Sequence, residues 1–398
     1  QASPQIRRMR YIRLTAMLLL AACGDGGTTP TSPPTPPTPV ATSITLSATS
    51  LSFSSLGETS QLSATVKDQN GATMSGATVT WSSSSASVAT VSSTGLVTAI
   101  ASGSATVTAT SASLNAASSV TVTPAIRITF LDVGQGDGIL IQSPEGKTAL
   151  VDAGPSSPVG DLRALNVAQI DLLVATHPHA DHIGGMADVI DSIPVSFYMD
   201  NGEPYTTATY QTLTQTLQGK PNIAHLVAEP RTISLGSANI DVLAMPPGAS
   251  NTINPNNRSV GLIIKYGSFI AFLSGDSEVE ELSFWVQQGV VPDVAVLKAP
   301  HHGANDGFTS EFLLDAKPEV VVIQVGSNTH GTPYAGTAAL EAYAATADRV
   351  LRNDQDGQVT VYGLEDGSYE ITVVGQGISA TSRVQAENPV LLETGGNW

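Results

Sequence analysis

The six residues His177-Pro178-His179-Ala180-Asp181-His182 constrain this chain more than any other stretch. They set three imidazoles and a carboxylate side by side in a protein of 398 residues with seven histidines in all. An apolar run, Leu172 to Ala175, precedes them, and Gly184-Gly185 follows. That order reads as a buried strand, a ligand-bearing loop and a helix from about Met186. On extended backbone His177 and His179 point the same way, so both can face one ion. Asp181 and His182 follow where the chain turns into the helix, and can face a second ion. Imidazole and carboxylate together suit a borderline divalent cation: zinc first, manganese second. Two such cations about 3.5–4 Å apart clamp both sides of a hydrolytic displacement. The motif therefore predicts an α/β domain that carries two divalent cations and activates water.

A paired site needs a shared carboxylate from another strand. Leu273-Ser274-Gly275-Asp276 offers one, an apolar strand tipped by Asp276. Asp152, in Leu150-Val151-Asp152-Ala153-Gly154, has the same placement and is expected to orient a ligand or the attacking water. His301-His302-Gly303 ends the apolar run Val294 to Ala299, and one of the pair completes the second site. The assignment is His301 as ligand, with His302, Asp181 and Asp152 in catalysis. Lys298, just before the pair, is expected to stabilise developing negative charge. His330 follows the next strand and competes for the same ligand position. His225 lies far from any other signal and reads as a packed or capping residue.

Composition divides the chain. Arg7, Arg8, Arg10 and Arg13 lead into the apolar run Leu14 to Ala22 and the single cysteine, Cys23. A basic leader, a short apolar stretch and small residues describe a secretory signal over residues 1–23. Gly24 to Val40 holds six prolines and can only be an extended tether. From Ala41 to Thr123 the chain has one Lys, one Asp and one Glu, and alternates as in Ala105-Thr106-Val107-Thr108-Ala109. Short alternating strands with turns between them predict an all-β sandwich over residues 41–124, with Trp81 as its aromatic core residue. Residues 125–375 mix strands and helices in an α/β domain, and 376–398 read as a tail. Between Ile126 and Gly375 there are 29 acids and 11 bases, a net of −18. Such a field repels polyanions at long range, although bound dications reverse it locally.

Three resemblances follow from these residues. Leu20-Ala21-Ala22-Cys23 resembles the lipobox of bacterial lipoproteins, which implies lipidation at Cys23 and, with Gly24 next, anchoring at the outer membrane; secretion is the alternative. Val79-Thr80-Trp81-Ser82-Ser83 and Gly95-Leu96-Val97-Thr98-Ala99 resemble the bacterial immunoglobulin-like group 2 domain. Its expected role is a spacer. From Ile126 to Val374 the chain resembles the metallo-β-lactamase superfamily, and in detail the hydrolase domain of ComEC-type competence proteins. The carrying residues run from Phe130 to Asp137, Leu150 to Gly154, His177 to Gly185, Leu273 to Asp276 and Leu297 to Gly303, with Asp354-Gln355-Asp356-Gly357 fitting as well. This resemblance implies an αββα sandwich and a metal-dependent hydrolase of phosphodiesters. Two departures stand out. Asn256-Asn257-Arg258-Ser259 occupies the place of a further histidine ligand, so the first site is expected to hold His177, His179, Asp276 and water. The family's Gly-His-Pro is altered, with His330 displaced from Pro333.

The expected function is a secreted or envelope-anchored hydrolase of phosphodiesters, either extracellular DNA or RNA or a smaller ester. The membrane is met only through the lipid, since no apolar stretch after Cys23 approaches spanning length. Two rivals are a β-lactam or lactone hydrolase on the same fold, and a surface-binding protein with a degenerate hydrolase domain.

Overall fold

The computed structural model describes residues 37–247, 254–326 and 335–374. Cys23, the Pro-rich tether up to residue 36, His330 and the tail from 375 lie outside them.

The Ser/Thr/Val-rich segment forms short strands in which alternate residues point inward, as Gly103–Ser111 and Leu114–Val122 illustrate. These two pair as a hairpin and make a four-stranded sheet with Ser50–Phe53 and Thr80–Ser83. A three-stranded sheet of Thr59–Gln61, Leu96–Ala99 and Ala89–Val91 shares its core, built on Phe53, Leu62, Val97, Val107 and Val120. Trp81, read as the aromatic core residue, packs against this core without being fully enclosed. It lies on an edge strand and packs half-buried on the margin of the core, while Phe53 is enclosed.

From Ala125 the chain builds two larger sheets. The first has eight strands in the order Ala224–Val227, Val195–Asp200, Ile170–Val174, Thr148–Val151, Ile139–Gln142, Ala125–Phe130, Val359–Leu364 and Tyr369–Val373. The second has seven: Arg231–Leu235, Ala238–Val242, Leu262–Tyr266, Phe269–Leu273, Val296–Lys298, Val320–Ile323 and Arg349–Arg352. Three apolar clusters account for the layers. Ile128, Phe130, Val174, Leu262, Leu273 and Val322 meet between the sheets. Leu150, Leu173, Met186, Val189 and Leu213 pack helices Met186–Ser192 and Ala208–Gln218 on the outside of the first. Phe272, Leu297, Trp285, Phe312 and Tyr343 do the same for helices Val279–Gln288, Ser310–Ala316 and Thr337–Thr346 on the second. The result is an αββα sandwich. Strands covered on both faces, such as Val320–Ile323, read as unbroken apolar runs for that reason. Among the described residues no helix is long and apolar enough to cross a membrane.

The parallel strands Thr148–Val151 and Ile170–Val174 of one sheet, and Phe269–Leu273, Val296–Lys298 and Val320–Ile323 of the other, position the site. Asp152, His177, Asp276 and His302 all follow the carboxyl ends of these strands, where open α/β sheets present ligand-binding loops.

Candidate metal centre

Each imidazole is aimed by a partner on its far side. Asp152 leaves its strand with φ of 57°, a left-handed conformation. Its Oδ1 accepts the Thr176 N–H at 2.8 Å, and its Oδ2 accepts the Thr176 hydroxyl at 2.6 Å and His182 Nδ1–H at 2.7 Å. His182 Nε2 is thereby turned onto Asp276 Oδ2, 3.0 Å away. His302 is held the same way. Its Nδ1–H donates to the Gln324 carbonyl at 2.8 Å, leaving Nε2 at 3.2 Å from Asp276 Oδ2 and 3.3 Å from Asp181 Oδ2. Donation from the far nitrogen fixes the tautomer that offers Nε2 to an ion. His177 Nε2 lies 3.8 Å from the same Asp276 oxygen and 3.0 Å from His179 Nδ1. Asp276 Oδ2 is therefore the point on which three imidazoles converge.

Ligand atoms of Asp181, His182, Asp276 and His302 all lie within 4.8 Å of one another, a set that fits a divalent cation. His177, with its ring 4.1 Å from that of His182, and His179 beside it join this set as a looser group. Asp181 stands at the mouth with its side chain 34% exposed, whereas His177, His182 and His302 are enclosed.

The structure separates the His301–His302 pair and brings His302, not His301, into the cluster. Both residues are left-handed, with φ of 45° and 51°, in the turn Pro300–Gly303. Such backbone costs about 1–3 kcal/mol per residue and gathers at functional sites. Here it sends successive side chains to different sides. His302 enters the cluster, and His301 turns out to Asp306, with Nδ1 at 2.7 Å from its carboxylate. Lys298 also departs from expectation. It is fully buried beneath the cluster, with Nζ 2.7 Å from the Gly275 carbonyl, 2.5 Å from Asp137 and 3.5 Å from Asp276 Oδ1. A buried ammonium requires a counter-charge, and this one is spent on Asp137 rather than on the open mouth. His330 lies outside the described residues. His225 sits on the edge strand Ala224–Val227, with Nε2 3.0 Å from Asp200.

Asp137 closes the Phe130 to Asp137 motif, yet its role in the site emerges only from the fold. It is buried, pairs with Lys298, and its Oδ1 stands 3.3 Å from His302 Nδ1. Lys298 itself carried the signal, because a lysine inside an apolar strand implies a buried acid nearby. Gly136 permits the approach: its φ is 139°, and a Cβ there would lie 2.1 Å from the Asp181 carbonyl. The loop in place of a further histidine acts as a brace. Ser259 Oγ accepts the Asp276 N–H at 3.1 Å, and Asn257 Oδ1 accepts the N–H groups of Glu278 and Glu281. Burial pushes the Glu281 carboxyl well above its ordinary range, and its Oε2 accepts Ser259 N–H and the Ser277 hydroxyl.

Charge in the cluster is finely opposed. Burial disfavours an imidazolium at His182, yet Asp276 and Asp152 outweigh it and push the ring up to about 10. His302 is likewise raised against burial by Asp276 and Asp137. His177 goes the other way, well below the usual value, through burial and repulsion by His182. Burial would raise Asp276, but His182, His302 and Lys298 hold it well below the carboxylate range. Protons on His182 and His302 thus take the place of a cation, and cation binding must expel them. A pH dependence follows. An imidazole at about 10 in the folded, cation-free protein and near 6.5 unfolded stabilises fully below about 6.5, and this stabilisation is lost as pH rises toward about 10. The melting temperature of chelator-treated protein should fall from pH 6.5 to 10, and more steeply than that of zinc- or manganese-saturated protein. Parallel curves would show that His182 does not carry this proton.

An αββα sandwich with histidines and aspartates gathered at its strand ends defines a class of metal-site domain, and the comparisons identify it. Residues 131–326 match the metallo-beta-lactamase superfamily and belong to it, and residues 40–122 are a bacterial Ig-like domain (group 2). Within that class the chain is similar to two competence proteins. It is 25% identical over 256 residues to ComE operon protein 3 of Bacillus subtilis (strain 168), covering 58% of this chain and 32% of that protein. It is 27% identical over 249 residues to competence protein ComA of Neisseria gonorrhoeae, covering 60% and 32%. A stretch of 71 residues is 37% identical to hydroxyacylglutathione hydrolase of Vibrio campbellii (strain ATCC BAA-1116), covering 18% and 28%. The chain spans about a third of the length of the curated relatives it matches.

Proposed function

We propose that this protein is a divalent-cation-dependent phosphodiesterase, held at the bacterial envelope through a lipid on Cys23. The observation that carries the hydrolase reading is the convergence of Asp181, His182, His302 and His177 around Asp276. In this reading His177, His179 and Asp276 hold one cation, and Asp181, His182, Asp276 and His302 the other, with zinc or manganese as the metal. Divalent cations there supply Lewis acidity and lower the pKa of water, so a nucleophile forms near neutral pH. The chain does the rest. Asp152 and the Gln324 carbonyl keep His182 and His302 in the ligating tautomer. Lys298 and the Ser259 hydroxyl fix Asp276 at its Oδ1 and its backbone N–H. Asp181, partly open to solvent, is placed to orient the attacking water. The similarity to competence proteins and the ligand chemistry favour phosphodiesters. The leader sequence favours export and lipidation, and the Ig-like domain serves as a spacer.

Purified full-length protein, supplied with Zn²⁺ or Mn²⁺, should hydrolyse bis-p-nitrophenyl phosphate or single-stranded DNA, and Asp181→Ala should not. Turnover of nitrocefin alone would support the lactam reading. Inactivity on all three and on a wider ester panel would leave a binding module.

A further inference from the structure

We infer that Tyr205 is a specificity wall of the mouth, and that it stacks the base of a nucleotide phosphodiester whose phosphate sits at the buried cluster. Its ring centroid lies 5.8 Å from that of His179, edge to face, with the planes 66° apart. Among the described residues no other non-histidine ring meets an imidazole of the cluster. An edge-to-face pair engages at most one face of either ring, so His179 leaves a face of Tyr205 uncovered. Tyr205 and His179 are both half-buried, whereas His177 and His182 are enclosed. Packing does not account for an aromatic here. Tyr343, in the core, donates its hydroxyl to the Gly307 carbonyl at 3.1 Å. Tyr205 belongs to none of the apolar clusters, and its hydroxyl has no hydrogen bond among the described residues.

The loop that carries Tyr205 is fixed, although it joins strand Val195–Asp200 to helix Ala208–Gln218 without regular structure of its own. Gly202 N–H donates to Asp200 Oδ1 at 2.9 Å. Asn201 is buried; its Oδ1 accepts Glu203 N–H at 3.0 Å, and its Nδ2 donates to the Arg258 carbonyl at 2.9 Å. The Glu203 carboxylate meets the Arg258 guanidinium at 2.7 Å, and Arg258 also donates to the Pro246 carbonyl at 2.8 Å. Ser259, the next residue, holds the Asp276 N–H. One short segment thus fixes both the central carboxylate and the loop of Tyr205. A ring set in advance at a constant place beside the cluster lowers the ordering cost of binding.

Every nucleobase has a π-face, so one aromatic platform selects for a base without reading which base it is. Stacking also suits the charge of the domain. With 29 acids against 11 bases between Ile126 and Gly375, few Lys or Arg contacts are on offer to a phosphate backbone, and a ring needs none. The inference rests on the phosphodiester reading and adds which diesters are taken: those that carry a base.

Titration calorimetry of the full chain with Mn²⁺ present, using thymidine 5′-phosphate and methyl phosphate, tests the wall. Both ligands present a phosphate, and the first alone presents a base. Wild type and Tyr205→Phe should bind the nucleotide about tenfold or more tighter than methyl phosphate, and Tyr205→Leu should lose that margin. Bound manganese per chain should be equal in all three proteins. Because one ring takes one base, a phosphorothioate thymidine oligonucleotide should bind no tighter, per diester, than the phosphorothioate dinucleotide. An unchanged margin in Tyr205→Leu, or no margin in wild type, would overturn the wall, and turnover of bis-p-nitrophenyl phosphate by the same protein would keep the hydrolase reading standing. A fall in bound manganese in Tyr205→Leu would make the residue a prop for His179 and overturn the wall as well. So would an oligonucleotide held far tighter per diester, since other contacts would then select the substrate. A margin that depends on Tyr205, in a protein that cleaves no phosphodiester, would uphold the stack and reject the hydrolase.

Discussion

Asp276→Ala should lower kcat/KM on bis-p-nitrophenyl phosphate by about a thousandfold or more, equivalent to about 4 kcal/mol of barrier. The size of the effect follows from position. One carboxylate oxygen stands 3.0 Å from His182 Nε2, 3.2 Å from His302 Nε2 and 3.8 Å from His177 Nε2. The same oxygen thus faces imidazoles of both the tight group and the looser one. Its removal would take a ligand from each cation of the proposed pair and leave two imidazoles that its charge had raised. The buried metal content should fall with activity, and added Mn²⁺ should restore little. Asp152→Asn makes the comparison. It touches His182 only through Nδ1, so about 10–100-fold in metal affinity or activity is expected, recoverable at high metal concentration. Equal losses in the two variants would mean that Asp276 is not the shared ligand.

The second large effect concerns folding. Lys298→Met should destabilise the protein by about 3–5 kcal/mol, because it strands a buried charge at Asp137. The lysine is fully enclosed, and its position is raised against burial by Asp137 and then Asp276. Asp137 in turn is held below the carboxylate range by Lys298 and His302, in spite of burial. Changing both partners, as Asp137→Asn/Lys298→Met, should recover much of the loss, since a neutral pair leaves no stranded charge. Denaturant midpoints of the two single variants and the double variant give the coupling directly. If Lys298→Met kept wild-type stability and metal content but lost kcat, the lysine would be acting on the reacting centre after all.

How far the sequence carried these conclusions depended on where a residue stood. Strands buried on both faces were plain: the apolar run Leu172 to Ala175 overlaps the buried strand Ile170–Val174. The margins of the sheets were not. Arg231–Leu235 and Ala238–Val242 alternate between exposed and buried positions, and Arg349–Arg352 carries two arginines, so their apolar signal is diluted. The ligand loop was legible because local spacing alone brings His177, His179, Asp181 and His182 together. Asp276 and Asp152 were legible as polar tips on apolar strands. Which of His301 and His302 enters the cluster was not, because it hangs on two consecutive left-handed residues that are not glycine. Asp137 was hidden for a different reason: it lies in a Gly-rich loop 161 positions before Lys298, and only the fold joins the two.

Crystals grown with Mn²⁺ or Zn²⁺ and measured across the metal absorption edge give the most direct answer. Two anomalous peaks should flank the Asp276 carboxylate, one within ligand distance of His177 and His179, the other of Asp181, His182 and His302. Fully ordered density for these side chains with no anomalous peak among them, at saturating metal and neutral pH, would contradict the metal-dependent hydrolase.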